Sequence, residues 1–195
     1  MVITTMVWGV TFEMVQEALR DAPPFIFAAF RFGIGCFFGI LYYLFIIRKK
    51  ISDTTHLELK SGLICGIVLC FGYGFQNFGL WENNFYIAST PSNSAFVTSI
   101  SVLLVPTFLY LFKIQKVDSK IWVIIMLAIV GLFILLNPSK GVRGGDVITF
   151  GCAVSFAIHI ILQDIYLRKG ADVLRFFIIQ VLVVSLFSFI CSYGI

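Results

Sequence analysis

The chain has 195 residues, of which 59% are hydrophobic and 12% charged, with a mean hydropathy of +1.00. Soluble domains are nearer half apolar and a quarter charged, and a small domain leaves much of its surface in water. The composition therefore excludes a water-soluble globular enzyme, a disordered protein and a secreted disulfide scaffold, and leaves an integral membrane protein. The net charge of +4 is no nucleic-acid footprint, so the expected surroundings are the lipid bilayer and no nucleic acid.

Seven apolar segments follow one another, at roughly 2–19, 25–47, 59–80, 88–112, 121–137, 147–167 and 173–195. Each is close to the ~20 residues that a helix needs to cross the hydrocarbon. No alternation of the kind a membrane barrel needs is visible. Asp21-Ala22-Pro23-Pro24 ends the first helix and opens the second, since proline suits a helix start and disfavours helix just before it. Thr90-Pro91 opens the fourth span, with Thr90 as N-cap. Pro106 is expected to kink that span, and residues 137–141 close the fifth. Cys36, Cys65, Cys70, Cys152 and Cys191 lie in apolar runs without metal-ligand spacing and read as small buried hydrophobes. The first twelve residues carry no basic leader or cleavage site, so no removable signal peptide is expected.

The connections after spans two, four and six carry ten Lys and Arg residues, including Arg48, Lys49, Lys50 and Lys60. The opposite side carries three, Arg20, Lys140 and Arg143. The positive-inside rule then makes the richer side cytoplasmic, together with the N-terminus.

A weak internal repeat joins spans one and six. Val15-Gln16-Glu17-Ala18-Leu19 aligns with Leu162-Gln163-Asp164-Ile165-Tyr166, and each stretch is followed by a basic residue, an acidic residue and a new apolar span. A repeat of five spans enters the membrane inverted the second time, as in secondary transporters. Trp8-Gly9 with Phe12, Pro23-Pro24-Phe25 before Phe30-Arg31-Phe32, and Gly145-Asp146 before Phe156-Ala157 and Gln163-Asp164 resemble the EamA-like domain of the drug/metabolite transporter superfamily. Ser92-Asn93-Ser94-Ala95-Phe96-Val97-Thr98-Ser99, continuing to Val105-Pro106, is similar to that family's fourth helix. The resemblance implies an all-α carrier of ten helices in two inverted halves around a central cavity. Residues 1–140 would be the first five-helix repeat, and residues 141–195 the first two helices of the second. About three helices of the ten are not represented, which implies a further C-terminal segment or a second chain. The link from Trp81 to Ile87 is also bulkier than the family's usual one.

Ionisable groups at membrane depth are costly and usually meet a partner or a wet cavity. Glu13 and Arg31 both lie roughly 10–12 Å below one face at 1.5 Å per residue, so an ion pair between the first two spans is expected. That pair either lines the cavity or only locks the two helices. Tyr73 and Asn77 share a helix face with Gln76 beside them, and His159 shares one with Gln163. Ser94, Thr98 and Ser101 form a polar stripe down span four, of the kind that also serves close helix packing. The glycine pairs Gly35/Gly39 and Gly62/Gly66 permit close helix approach. The candidate substrate-facing set is Glu13, Arg31, Gln76, Asn77, Asn93, Thr98, His159 and Gln163, with Gln180 as a further member.

The function expected is a secondary carrier of a small metabolite or drug-like solute in the cell (inner) membrane, working by alternating access. No cofactor, metal or catalytic residue is expected. A seven-helix receptor is the first alternative, although the last span has no lysine for a retinal Schiff base. A structural membrane protein or a non-functional truncated carrier are others. An intramembrane enzyme is disfavoured, because the nucleophile and zinc motifs and paired intramembrane aspartates are not in the sequence.

Overall fold

The computed structural model describes residues 2–48, 54–136 and 141–193. Among them the regular structure is helical throughout: α1 (Val2–Asp21), α2 (Pro24–Tyr42) with a π-helical turn (Tyr43–Ile47), α3 (His56–Leu80), α4 (Pro91–Ser99), α5 (Ser101–Leu111), α6 (Ser119–Leu136), α7 (Gly144–Arg168) and α8 (Val173–Ser192). Five of these stretches are long and apolar enough to cross a membrane: Pro24–Ile47, His56–Leu80, Pro91–Leu111, Gly144–Arg168 and Val173–Ser192. Glu13, Gln16 and Glu17 make α1 more polar than these. The expected break at 137–140, and with it Lys140, lies outside the described residues, as do Lys49 and Lys50.

The helix starts follow local chemistry. Thr55 Oγ1 accepts the Glu58 N–H at 3.3 Å while a Glu58 carboxylate oxygen accepts the Thr55 N–H at 2.7 Å. This reciprocal capping box satisfies two donors that the first turn of α3 would otherwise strand. Thr90 caps α4 as expected, its hydroxyl accepting the Asn93 N–H at 3.2 Å. Pro24 stands at the first position of α2, where its absent N–H costs nothing.

The fourth span is two helices, and the break falls at Ile100 rather than at Pro106. Ile100 N–H turns to Val97 O, and Ile100 O then accepts from Leu103 and Leu104. The break lies two residues before Val102, whose carbonyl Pro106 leaves without its usual donor. Proline here disrupts the turn that precedes it.

Helix α3 is the centre of the bundle, packed on α7 along one stretch and on α8 along another. Glycines set both approaches. A Cβ on Gly62 would lie 2.5 Å from the Ile179 side chain, and one on Gly66 would lie 2.7 Å from Val183. Towards the other end Gly72 faces the Phe156 ring, and Gly79 faces Thr149 and the Gly145 carbonyl on α7. Gly35 and Gly39 also face α8, at ordinary van der Waals distance from Val181 and Ile178.

The link between α3 and α4 is folded against the start of α7. Ser89 N–H donates to Gly79 O at 2.8 Å and Gly145 N–H to Ile87 O at 2.9 Å. The Asn83 side chain accepts the Phe85 and Tyr86 N–H groups, and the Tyr86 hydroxyl bonds the Phe78 carbonyl. These bonds pair backbone groups that the irregular link would otherwise leave unsatisfied. Four of the five cysteines are buried and all five are free thiols, matching their reading as small hydrophobes.

This packing leads to a stability prediction. Gly79→Ala drives a methyl into Thr149 Oγ1 and should cost about 1–3 kcal/mol, whereas Gly74→Ala meets open space and should stay within ~0.5 kcal/mol. Thermal unfolding in detergent compares them; equal losses would contradict the close contact between α3 and α7.

Candidate functional site

The expected Glu13–Arg31 ion pair does not form. Phe12, Val15 and Leu19 bury one face of α1 in a cluster with Leu80, against which Phe27, Trp81 and Ala95 pack. At 100° per residue Glu13 then falls about a third of a turn away from that face, and its side chain is exposed. Glu17, beside it on the surface, pairs instead with Arg20 at 2.8 Å.

Arg31 is held by aromatic rings. Its guanidinium carbon lies 5.5 Å from the centre of the Tyr73 ring, 5.7 Å from that of Phe32 and 6.0 Å from that of Phe27. Tyr73 in turn packs on Phe32 at 4.6 Å and on Phe156 at 5.3 Å between ring centroids, joining α2, α3 and α7. Such cation–π contacts suit a guanidinium away from bulk water. Among the described residues no carboxylate pairs with Arg31.

One helical turn from Tyr73, Asn77 is 2% exposed. Its Nδ2 donates to Pro24 O at 3.4 Å, tying α3 to the start of α2, while its buried Oδ1 has no partner. Gln76 beside it is 4% exposed.

His159 is 8% exposed, and its Nε2 donates to Gln180 Oε1 at 2.6 Å, linking α7 to α8. The Gln180 Nε2 is buried without a partner. Gln163 lies one turn further along α7, half-buried, while the adjacent Asp164 is engaged by Arg168 at 2.8 Å on the surface.

On span four the polar stripe faces inward against α7. Ser94 and Thr98 are fully buried, and Thr98 Oγ1 lies 3.9 Å from Cys152 Sγ. Asn93 is half-buried at the helix start, where its Nδ2 donates to Asp146 Oδ2 at 3.4 Å. It lines a pocket of about 300 Å³ with Val97, Ile100, Val142, Asp146 and Phe150, so the break in span four opens onto this space.

Two carboxylates outside the expected set organise the ends of the bundle. Asp146 accepts from Ser89 Oγ at 2.5 Å, from the Arg143 N–H at 3.0 Å and from Asn93. Glu58, 2% exposed, accepts the Asp172 N–H at 3.0 Å and approaches Arg175 at 3.4 Å, fastening α3 to the start of α8. Both stand at the third position of their helices, so Thr55-x-x-Glu58 before an apolar run was the sequence signal that marks the first of them. No group of three or more metal-ligating side chains occurs among the described residues.

Apolar helices spaced to span a bilayer, close-packed through glycines and joined by buried polar contacts, define a multi-pass α-helical membrane protein. Residues 1–137 match the EamA-like transporter family, and the chain belongs to it. It is 31% identical over 166 residues to an uncharacterized transporter of Archaeoglobus fulgidus, covering 85% of this chain and 48% of that protein. It is 27% identical over 164 residues to the uncharacterized transporter YoaV of Bacillus subtilis, covering 79% of this chain and 52% of that protein. The chain thus spans about half the length of these relatives. No solved structure matches it.

The contact between His159 and Gln180 can be tested by paired substitution. His159→Leu should cost about 1–3 kcal/mol, because it leaves the buried Gln180 amide wholly unpaired. Adding Gln180→Leu should recover much of that loss, since removing both polar partners is far less costly than removing one. Thermal unfolding of both single variants and the double variant measures this; strictly additive losses would deny the coupling.

Proposed function

We propose that this chain is part of a secondary carrier that moves a small metabolite or drug-like solute by alternating access. The observation that carries the proposal is Arg31, a cation at membrane depth clasped by rings of α2 and α3 in a chain of the EamA-like transporter family. Intramembrane charge of this kind is a hallmark of solute pathways. Residues 1–140 form the first repeat in this reading and residues 141–195 the first part of an inverted second one. The relatives' greater length supports a carrier with further helices, from the same polypeptide or from a second chain. The discontinuity at Ile100 supports a moving part, since transporter sites are commonly built on interrupted helices. In this reading the protein sits in the cell (inner) membrane, and the basic connections support an N-terminus in the cytoplasm.

Membrane vesicles carrying the complete protein, offered a labelled metabolite mixture, should accumulate or release solutes that empty vesicles do not. Arg31→Gln should lower that flux about ten-fold, the equivalent of one charge-assisted hydrogen bond, while Glu13→Gln leaves it within about two-fold. Normal flux in both variants would remove Arg31 from the site, and no flux from the wild type would reject the carrier reading.

Orientation has its own check. A membrane-impermeant label should reach a cysteine placed at Lys116 only from the cytoplasmic side, and one at Asn84 only from the opposite side. The reverse pattern would invert the topology.

A further inference from the structure

We propose that the solute is a small organic anion, whose carboxylate or phosphate group binds the Arg31 guanidinium and the Tyr73 hydroxyl. The inference rests on the carrier reading above and names the substrate class of the same site.

Among the described residues Arg31 is a charge without a counter-charge. Arg31 is the eighth residue of α2, roughly 10 Å along the helix from Pro24, where an unpaired cation is expensive. Glu13, the expected partner, is exposed on α1 and makes no ion pair with Arg31. Glu58 and Asp146 are occupied elsewhere, on Arg175 and Asp172 and on Ser89, Asn93 and Arg143 respectively. Rings from Phe27, Phe32 and Tyr73 lie 5.5–6.0 Å from the guanidinium carbon, but among the described residues no acceptor takes its N–H groups, which prefer a planar pair of oxygens. Tyr73 stands beside it, and its hydroxyl makes no hydrogen bond among the described residues, so a second donor is to hand. The surrounding phenylalanines suit an apolar or aromatic body attached to the anionic group. A cation-transporting site would present the opposite pattern, a carboxylate free of protein partners.

The same anionic chemistry can come from a soluble metabolite or from a lipid headgroup, and the experiment separates the two. Purified complete protein in phosphatidylcholine nanodiscs is titrated with benzoate, phenyl phosphate, benzamide or benzylammonium, and separately rebuilt with phosphatidic acid. Benzoate or phenyl phosphate should raise the thermal midpoint by about 5 °C at a hundred-fold excess over Kd, with benzamide and benzylammonium inert. Arg31→Gln should abolish the shift, and Arg31→Lys should keep a weaker one. The neutral and cationic analogues test the wild type alone, so a poorly folded variant does not decide the matter. No shift by either soluble anion, an equal shift by benzamide, or a shift retained in Arg31→Gln overturns the proposal. Stabilisation by phosphatidic acid alone overturns the solute and assigns the anion to lipid. Flux of the bound anion in vesicles keeps the carrier reading separate: Arg31-dependent binding without flux defeats that reading and not the anion site, whereas flux of neutral or cationic solutes unaffected by Arg31→Gln defeats the anion site and not the carrier.

Discussion

The close approach that glycine allows along α3 is the constraint on which the rest of the structure depends. Helices in lipid gain little from hydrophobic burial against one another, because the acyl chains are equally apolar. Association then rests on close packing, and packing is best where no side chain intervenes. Gly62 and Gly66 bring α8 in at one end of α3, while Gly72 and Gly79 bring α7 in at the other. One helix thereby serves two neighbours, α7 and α8. Arg31, Tyr73, Asn77, His159 and Gln180 take their places from this arrangement.

Polar fasteners at the two ends complete it. Glu58 and Asp146 each cap their own helix and reach a neighbouring one, so a single carboxylate fixes both a helix start and a helix pair. They are held at opposite ends of the bundle, one at the start of α3 and α8, the other at the start of α4 and α7. Between them the interior polar contacts include sulfur contacts at Thr98 and Cys70, a ring cage at Arg31, the bond of Ser185 Oγ to Ala29 O and that of His159 to Gln180. Several buried polar atoms of the bundle, among them Tyr43 Oη, Asn77 Oδ1, Ser94 Oγ and Gln180 Nε2, have no partner among the described residues. Unsatisfied polar groups are costly in an apolar interior.

Most of the fold was legible because membrane spans are written in length and hydropathy. The starts of α2 and α4 followed from Pro24 and from Thr90-Pro91, whose effects are local. The site was legible only in part. Gln76, Asn77 and His159 are buried as amide and imidazole groups at membrane depth should be. The Glu13–Arg31 pair was a reasonable inference from matched depth, but depth along a helix says nothing about rotation around it. The apolar face of α1, Phe12, Val15 and Leu19, fixed that rotation and turned Glu13 outward. Asp146 was missed for the converse reason: it sits at a helix end, where a carboxylate reads as a cap, and its bonds to Ser89 and Asn93 come from residues more than fifty positions away.

The sequence by itself determined that the chain lives in a membrane, roughly where it crosses, which of its connections are basic and which family it resembles. These depend on composition and on signals spanning a few residues. Only the tertiary structure decided that Arg31 faces aromatic rings rather than Glu13, that the fourth span breaks at Ile100, and that His159 answers Gln180. Each is a question of which helix face meets which, and that is settled by side-chain volume at contacts between distant segments, with no local trace in the sequence.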